Sequence, residues 1–294
     1  MTKVVSWMFS AISAIICIMP LRMQIALADL LAFTLHSIVR YRRKVVRNNL
    51  TKSFPEKSES EIAAIEKRFY RNLADIFIEA LQLFTMRREA LRKRFTIENK
   101  ALIDQALENG RRVFIAIGHS GNWEWFGVYL SLLYPKITAS LYKAQHNKTF
   151  DRLIYNMRAR LGDGKMFESK SAYRMLVSQK SSSKVVLIIG DQTPGGKPTD
   201  HWTTFMHQET PFFTGMEKMA QSLDFSVFFA HSTRTSRGHY KVVVEELEPA
   251  DQAQGGYPIT EAYARRLEQA LIKTPDNWLW SHRRWKHKRI KAGA

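Results

Sequence analysis

Residues 112–133 constrain the fold of this chain more than any other stretch. Residues 113–117 are a short apolar run with β-branched members, the pattern of a buried strand. Gly118, Ser120, Gly121 and Asn122 then crowd turn and cap residues into five positions. From Trp123 to Leu133 the chain is rich in apolar residues and free of proline, which predicts a helix in spite of Gly127. A buried strand, a tight turn and a helix opening straight from it make a layered α/β unit.

Two residues of that unit carry chemistry, His119 and Glu124. Five residues along one continuous helix would rotate them about 140° apart. With Ser120 or Asn122 as the helix cap, His119 precedes the helix and escapes that constraint. Glu124 then lies in the first helical turn, where the dipole favours an acid. A carboxylate holding one imidazole nitrogen fixes the tautomer and leaves the other nitrogen as a base. Backbone N–H groups at the helix start can stabilise an anion beside it. Together these fit acyl transfer to a hydroxyl. A competing reading makes His119 and Glu124 ordinary cap and surface residues. Another makes Ser120 the nucleophile of a lipid esterase, but the nucleophile elbow needs glycine where Asn122 stands. A zinc site is weaker still, because neither His-Glu-x-x-His nor paired-cysteine spacing occurs.

The string Gly118-His-Ser-Gly-Asn-Trp-Glu124 resembles the His-x4-Asp/Glu motif of the lysophospholipid acyltransferase superfamily. Within it, the chain is most similar to the bacterial lipid A late acyltransferases of lauroyl and myristoyl type. The likeness runs from the apolar N-terminus to the tail Trp278-Leu-Trp-Ser-His-Arg-Arg-Trp285. It implies an α/β fold with a central mixed sheet flanked by helices and membrane-associated helices at the N-terminus. It implies O-acyl transfer from acyl-ACP or acyl-CoA to a phosphate-bearing lipid acceptor, most simply a lipid A precursor. A lyso-phospholipid or aminolipid is the alternative acceptor. The expected location is the cytoplasmic face of a bacterial inner membrane, with no cofactor, no metal and no nucleic-acid partner.

Forty-five basic and 27 acidic side chains leave a net charge of +18, which asks for an anionic partner such as a membrane face, an acidic protein or nucleic acid. Residues 4–19 and 23–39 are two apolar stretches closed by Arg40, Arg42, Arg43, Lys44 and Arg47. That pattern predicts a membrane anchor over residues 1–47 and a catalytic domain over 48–294. A signal peptide lacks a convincing cleavage site, and a buried helical hairpin of a soluble domain is the other reading. Residues 48–58 read as a polar connection, and Ser58 with Glu61 as a capping box for a helix over 61–84. Single Cys17 excludes an internal disulfide.

Further along, a strand over 137–143 precedes a helix over 149–161 that carries Arg158 and Arg160. The resemblance implies an arginine of this helix beside the His/Glu pair. The spacing Tyr142-Lys-x3-Asn147 to Arg158 selects Arg158, with Arg160 as fallback. A guanidinium there would keep Glu124 ionised or hold a phosphate or carbonyl oxygen. Residues 184–190 form a buried-strand run ending in Asp191, where open α/β sheets place functional groups. The resemblance carries a substrate-binding role to Asp191, although Thr193 replaces a second acid. Asn122, Arg283 and Arg284 join it as substrate-binding candidates, the two arginines near a lipid phosphate. Residues 194–210 read as a loop, in which Phe205, with Phe212 and Phe213 just after it, could line an acyl groove. A helix over 215–223, strands over 225–233 and 240–247, and a helix over 261–272 capped by Thr260 complete the reading.

Overall fold

The structure, a computed structural model, describes residues 2–178, 182–195, 201–250 and 256–289. Its centre is a seven-stranded mixed sheet. The strand order is β1 (Phe95–Ile97), β9 (His239–Glu246), β8 (Phe225–Ser236), β2 (Arg112–Ile117), β5 (Val185–Ile189), β3 (Thr138–Tyr142) and β4 (Lys165–Glu168). Only the β8–β9 hairpin pairs antiparallel within this sheet. Along β2, Val113, Ile115 and Ile117 face one core, and Phe114 and Ala116 face the other. This is the period-two alternation of a strand covered on both faces, and it explains why the sequence run is apolar throughout.

Helix α7 (Trp123–Leu133) buries Trp125, Phe126 and Leu130 on the Val113 face, as the sequence predicts. Helix α11 (Pro258–Lys273) covers the other face with Tyr263, Leu267 and Leu271. Helix α4 (Glu59–Gln82) starts with the predicted capping box, Ser58 accepting from the Glu61 N–H and Glu61 from the Ser58 N–H. Ile62, Ile65, Phe69 and Leu73 then repeat along its core-facing side.

Three expectations change. Residues 48–58 are not simply a connection, because helix α3 (Arg43–Ser53) runs through residue 53. Val46 and Leu50, four apart, are fully buried in the main core, and Asn49 Nδ2 donates to the carbonyls of Trp280 and His282. The boundary expected at residue 47 therefore falls inside a helix. The loop over 194–210 contains a small hairpin, β6 (Trp202–Phe205) with β7 (Gln208–Pro211), turned through left-handed Met206 and His207; residues 196–200 lie outside the described residues. Its sequence concealed it because the turn lacks the usual glycine. Helix α11 begins at Pro258 rather than after Thr260, whose N–H and hydroxyl both donate to Glu217. At the N-terminus, α1 (Thr2–Ile18) and α2 (Leu21–Phe33), the latter extended by a π turn over Thr34–Ile38, pack on α4. Leu21–Ile38 is long and apolar enough to cross a membrane.

Candidate active site

The register of the sheet builds the site. β2 and β5 run parallel with Ile117 opposite Ile189. Two residues beyond each of these lie His119 and Asp191, so the pairing itself delivers an imidazole to a carboxylate. His119 Nδ1 lies 2.5 Å from Asp191 Oδ1, and the His119 backbone N–H donates to Asp191 Oδ2 at 2.7 Å. Trp278 Nε1 donates to the same oxygen at 2.6 Å. Burial pushes the Asp191 carboxyl up, but the His119 ring and these N–H donors outweigh it and hold the group at about 2. An ionised carboxylate facing Nδ1 requires a proton on that nitrogen, which leaves Nε2 with its lone pair. The Gln192 amide nitrogen sits 3.1 Å from Nε2, and the Trp123 ring stands edge-on to the imidazole with centroids 5.3 Å apart.

Both glycines of the turn are needed at close range. A Cβ on Gly118 would come within 2.7 Å of Leu267 Cδ1 and 3.2 Å of Asp191 Oδ2. Gly121 has φ +57, and its Cβ would meet Ser232 Oγ at 2.4 Å. The C-terminal segment straps the turn in place. Leu279 N–H donates to the His119 carbonyl at 3.1 Å, and Gly121 N–H donates to Asn277 Oδ1 at 3.0 Å. The aromatic tail is thus part of the site's frame, with Trp278 and Trp280 buried.

Glu124 is placed differently from the expectation. Its carboxylate receives two bonds from Arg158, Nε to Oε2 at 2.8 Å and Nη2 to Oε1 at 2.6 Å. This is a bidentate fork, the geometry guanidinium favours. Burial raises the Glu124 carboxyl, but Arg158 outweighs it, with help from His119, and the net shift is downward. The expected hydrogen bond from the His119 ring to Glu124 is therefore corrected: Asp191 holds Nδ1, and Glu124 adds only its charge beside the ring. The physical reason is reach, since Asp191 stands directly across the strand pair.

Two hollows flank these groups. One, a narrow cleft with about 10 Å³ of free space, lies beside His119 between Phe69, Leu73, Ile76, Trp123 and Leu279. The other, about 230 Å³, has Glu124 and Arg158 in its wall with Tyr142, Lys143, Phe150 and Tyr155.

The remaining candidates have structural partners. Asp191 is buried and its oxygens are occupied from within, so it faces His119 rather than a substrate. Asn122 is the α7 N-cap, accepting from the Trp125 N–H at 2.9 Å, and its amide donates to buried Glu79 at 2.7 Å. Arg160 donates to the carbonyls of Leu83 and Met86, tying helix α8 (Lys148–Ala159) to the end of α4. Arg284 is fully buried, bonded to the Pro211 carbonyl and stacked 4.6 Å from the Phe212 ring centre, so no lipid phosphate reaches it; Arg283 is exposed. Phe205 and Phe212 are core residues, which leaves only Phe213 of that trio exposed. Ser120 is buried, its Oγ 3.5 Å from His231 Nδ1, and His231 turns its other nitrogen to Thr274 rather than to an acid. That is not a serine-nucleophile arrangement. Trp278, Gln192 and Trp123 were not singled out from sequence as contacts of His119 and Asp191, because only the folded topology brings them together.

An imidazole with a fixed tautomer, a second nitrogen met by the Gln192 amide, an adjacent ion pair and two hollows is equipped to move a proton from a bound hydroxyl once that hydroxyl takes the amide's place. The model of the bacterial lipid A biosynthesis acyltransferase family matches residues 1–287. The chain belongs to this family. It is an O-acyltransferase of lipid A biosynthesis. It is 22% identical over 255 residues to the lipid A biosynthesis palmitoleoyltransferase of Escherichia coli (strain K12). The lipid A biosynthesis acyltransferase of Shigella flexneri matches equally, and in both cases 84% of this chain and 80% of the relative are covered. The string 118–124 that carries the sequence resemblance lies wholly inside the matched region of the family model.

Proposed function

We propose that this lipid A acyltransferase moves a fatty acyl group from an acyl-ACP or acyl-CoA thioester to a hydroxyl of a phosphorylated lipid A precursor. His119 is the general base. Its Nε2 takes the proton of the acceptor hydroxyl as that oxygen attacks the thioester carbonyl. The N–H groups of Trp123 and Glu124 in the first turn of α7, which have no helical acceptor, stabilise the tetrahedral oxyanion. Collapse breaks the carbon–sulfur bond, and the departing thiolate takes the proton back from Nε2. Ester and free thiol leave, and no covalent enzyme intermediate is needed.

Asp191 positions the ring and stabilises the imidazolium formed in the transition state. Glu124 adds a second negative charge beside it and holds Arg158 in the wall of the larger hollow. There Arg158 and Lys143 suit a phosphate-bearing substrate. The apolar N-terminal helices and basic clusters support work at the cytoplasmic face of a bacterial inner membrane. The observation that carries the reading is the Asp191–Nδ1 contact, which leaves Nε2 as the nitrogen with the lone pair. Mass spectrometry of membrane lipids with and without the protein tests it. A lipid A species heavier by one acyl unit is expected, and its absence together with a lyso-phospholipid product would transfer the activity to the other acceptor class.

A further inference from the structure

Helices α1 and α2 form a hairpin that lies along α4 through polar contacts at every level. Ser13 Oγ is 2.6 Å from Thr85 Oγ1, and Gln24 Nε2 closes the hairpin by donating to the carbonyls of Ile16 and Met19, both at 2.9 Å. Gln82 Nε2 on α4 donates to Gln24 Oε1 at 2.8 Å. Arg237, in the β8–β9 turn, clamps both helices, reaching Asp29 at 2.9 Å and Asp75 at 2.6 Å. His36 Nε2 lies 3.2 Å from Glu66 Oε1. Residues 24, 29 and 36 thus meet the levels of 82, 75 and 66, so α2 runs antiparallel to α4 over roughly 24 Å.

Among the described residues, large apolar side chains on the outer face of the same hairpin stay exposed. Trp7 is 73% exposed, Ile18 81% and Leu30 63%, with Ile15 and Phe33 also open. Exposed basic residues rim this face: Arg22 at the hairpin turn, Arg40 and Lys44 beyond α2, and Arg87 and Arg88 after α4. An apolar face with a cationic rim matches the boundary between headgroups and acyl chains of an anionic leaflet. Crossing the bilayer suits it poorly. By length α1 and Leu21–Ile38, about 25 and 27 Å, reach only the lower end of what crosses a hydrocarbon core of about 30 Å, so the polar partners decide the matter. Crossing would drag the exposed Lys67, Arg68 and Arg71 of α4 into lipid, or leave Gln24 and Asp29 there without partners.

We propose that α1 and α2 lie in the plane of one anionic leaflet, with the chain start, the hairpin turn and the catalytic domain all on the same side. α4 then links surface to chemistry, because Phe69, Leu73 and Ile76 line the hollow beside His119 while other faces of α4 carry the hairpin. The inference does not depend on the reaction assigned to His119.

Single-cysteine reporters in the full-length Cys17→Ser protein test it in sealed right-side-out and inside-out membrane vesicles. The sites are a cysteine added ahead of Met1, Arg22→Cys, Arg40→Cys and, on the catalytic domain, Glu56→Cys. A membrane-impermeant maleimide should label all four from the same side. Ile15→Cys and Leu30→Cys should react at least tenfold more slowly until detergent is added. Labelling of Arg22→Cys or of the added cysteine from the opposite side means that a helix crosses, and overturns the proposal. Fast reaction at Leu30→Cys without detergent, or Leu30→Cys disulfide dimers that persist on dilution in lipid, overturns it as well, the latter in favour of a second copy of the chain.

Discussion

Asp191→Asn is the sharpest perturbation of the site. In the wild type, three N–H donors converge on two carboxylate oxygens at 2.5–2.7 Å. An amide offers one acceptor oxygen, so at least one of the His119 ring, the His119 backbone and Trp278 must face an NH2 group instead. If the amide donates to Nδ1, the imidazole proton moves to Nε2 and the base is lost. If the oxygen stays on Nδ1, the stabilising charge is still gone. General-base catalysis is worth about 10²–10⁴-fold, or roughly 3–5.5 kcal/mol. We expect kcat for acyl transfer to fall by that factor with KM changed less than about threefold. Folding should suffer too. The Asp191 carboxyl is held at about 2 against an ordinary 3.8, a difference worth on the order of 2 kcal/mol above pH 4. Since a depressed carboxylate stabilises above its unfolded value, this contribution should disappear as pH falls from about 4 to 2. Steady-state transfer with a radiolabelled acyl thioester, paired with thermal unfolding, reads both quantities. A raised KM at unchanged kcat would return Asp191 to substrate binding. Full activity in Asp191→Asn with complete loss in Glu124→Gln would make Glu124 the partner of the ring.

Arg158→Lys keeps the charge but loses the fork onto Glu124, and kcat/KM should fall by about 10–100-fold in the same assay. Burial raises the Glu79 carboxyl to about 7 despite its Arg234 and Tyr240 neighbours. The stabilisation it contributes is complete below about pH 4.5 and is lost as pH rises through 7, by about 3 kcal/mol. Glu79→Gln should flatten that slope and melt higher than wild type at pH 8.5, as thermal scans at pH 5 and 8.5 would record. Gly121→Ala combines a left-handed φ with a collision at Ser232, so it should destabilise by more than about 2 kcal/mol and abolish transfer; wild-type melting would contradict the close approach.

Local chemistry was legible wherever it was carried by neighbours in sequence. β2 and α7 sit where the apolar run, the turn residues and the proline-free helix put them, and the Ser58 box opens α4. Arg158 came from the resemblance rather than from neighbours in sequence, and the structure sets its fork on Glu124. The partner of His119 was not legible. Asp191 is 72 residues away, and only the strand register sets it across from the imidazole. The same limit governed Arg284, whose charge suggested an exposed phosphate contact although the tail folds it under Phe212. Helix α3 was hidden because polar Asn48, Asn49 and Thr51 mask the Val46–Leu50 pair that buries it.

The central claim is that one imidazole deprotonates the acceptor, and His119→Ala tests it most directly. Single-turnover transfer from acyl thioester to a purified lipid A precursor, with folding checked by thermal melting, should run at under about 1% of the wild-type rate. A folded His119→Ala enzyme transferring within tenfold of wild type would contradict the account.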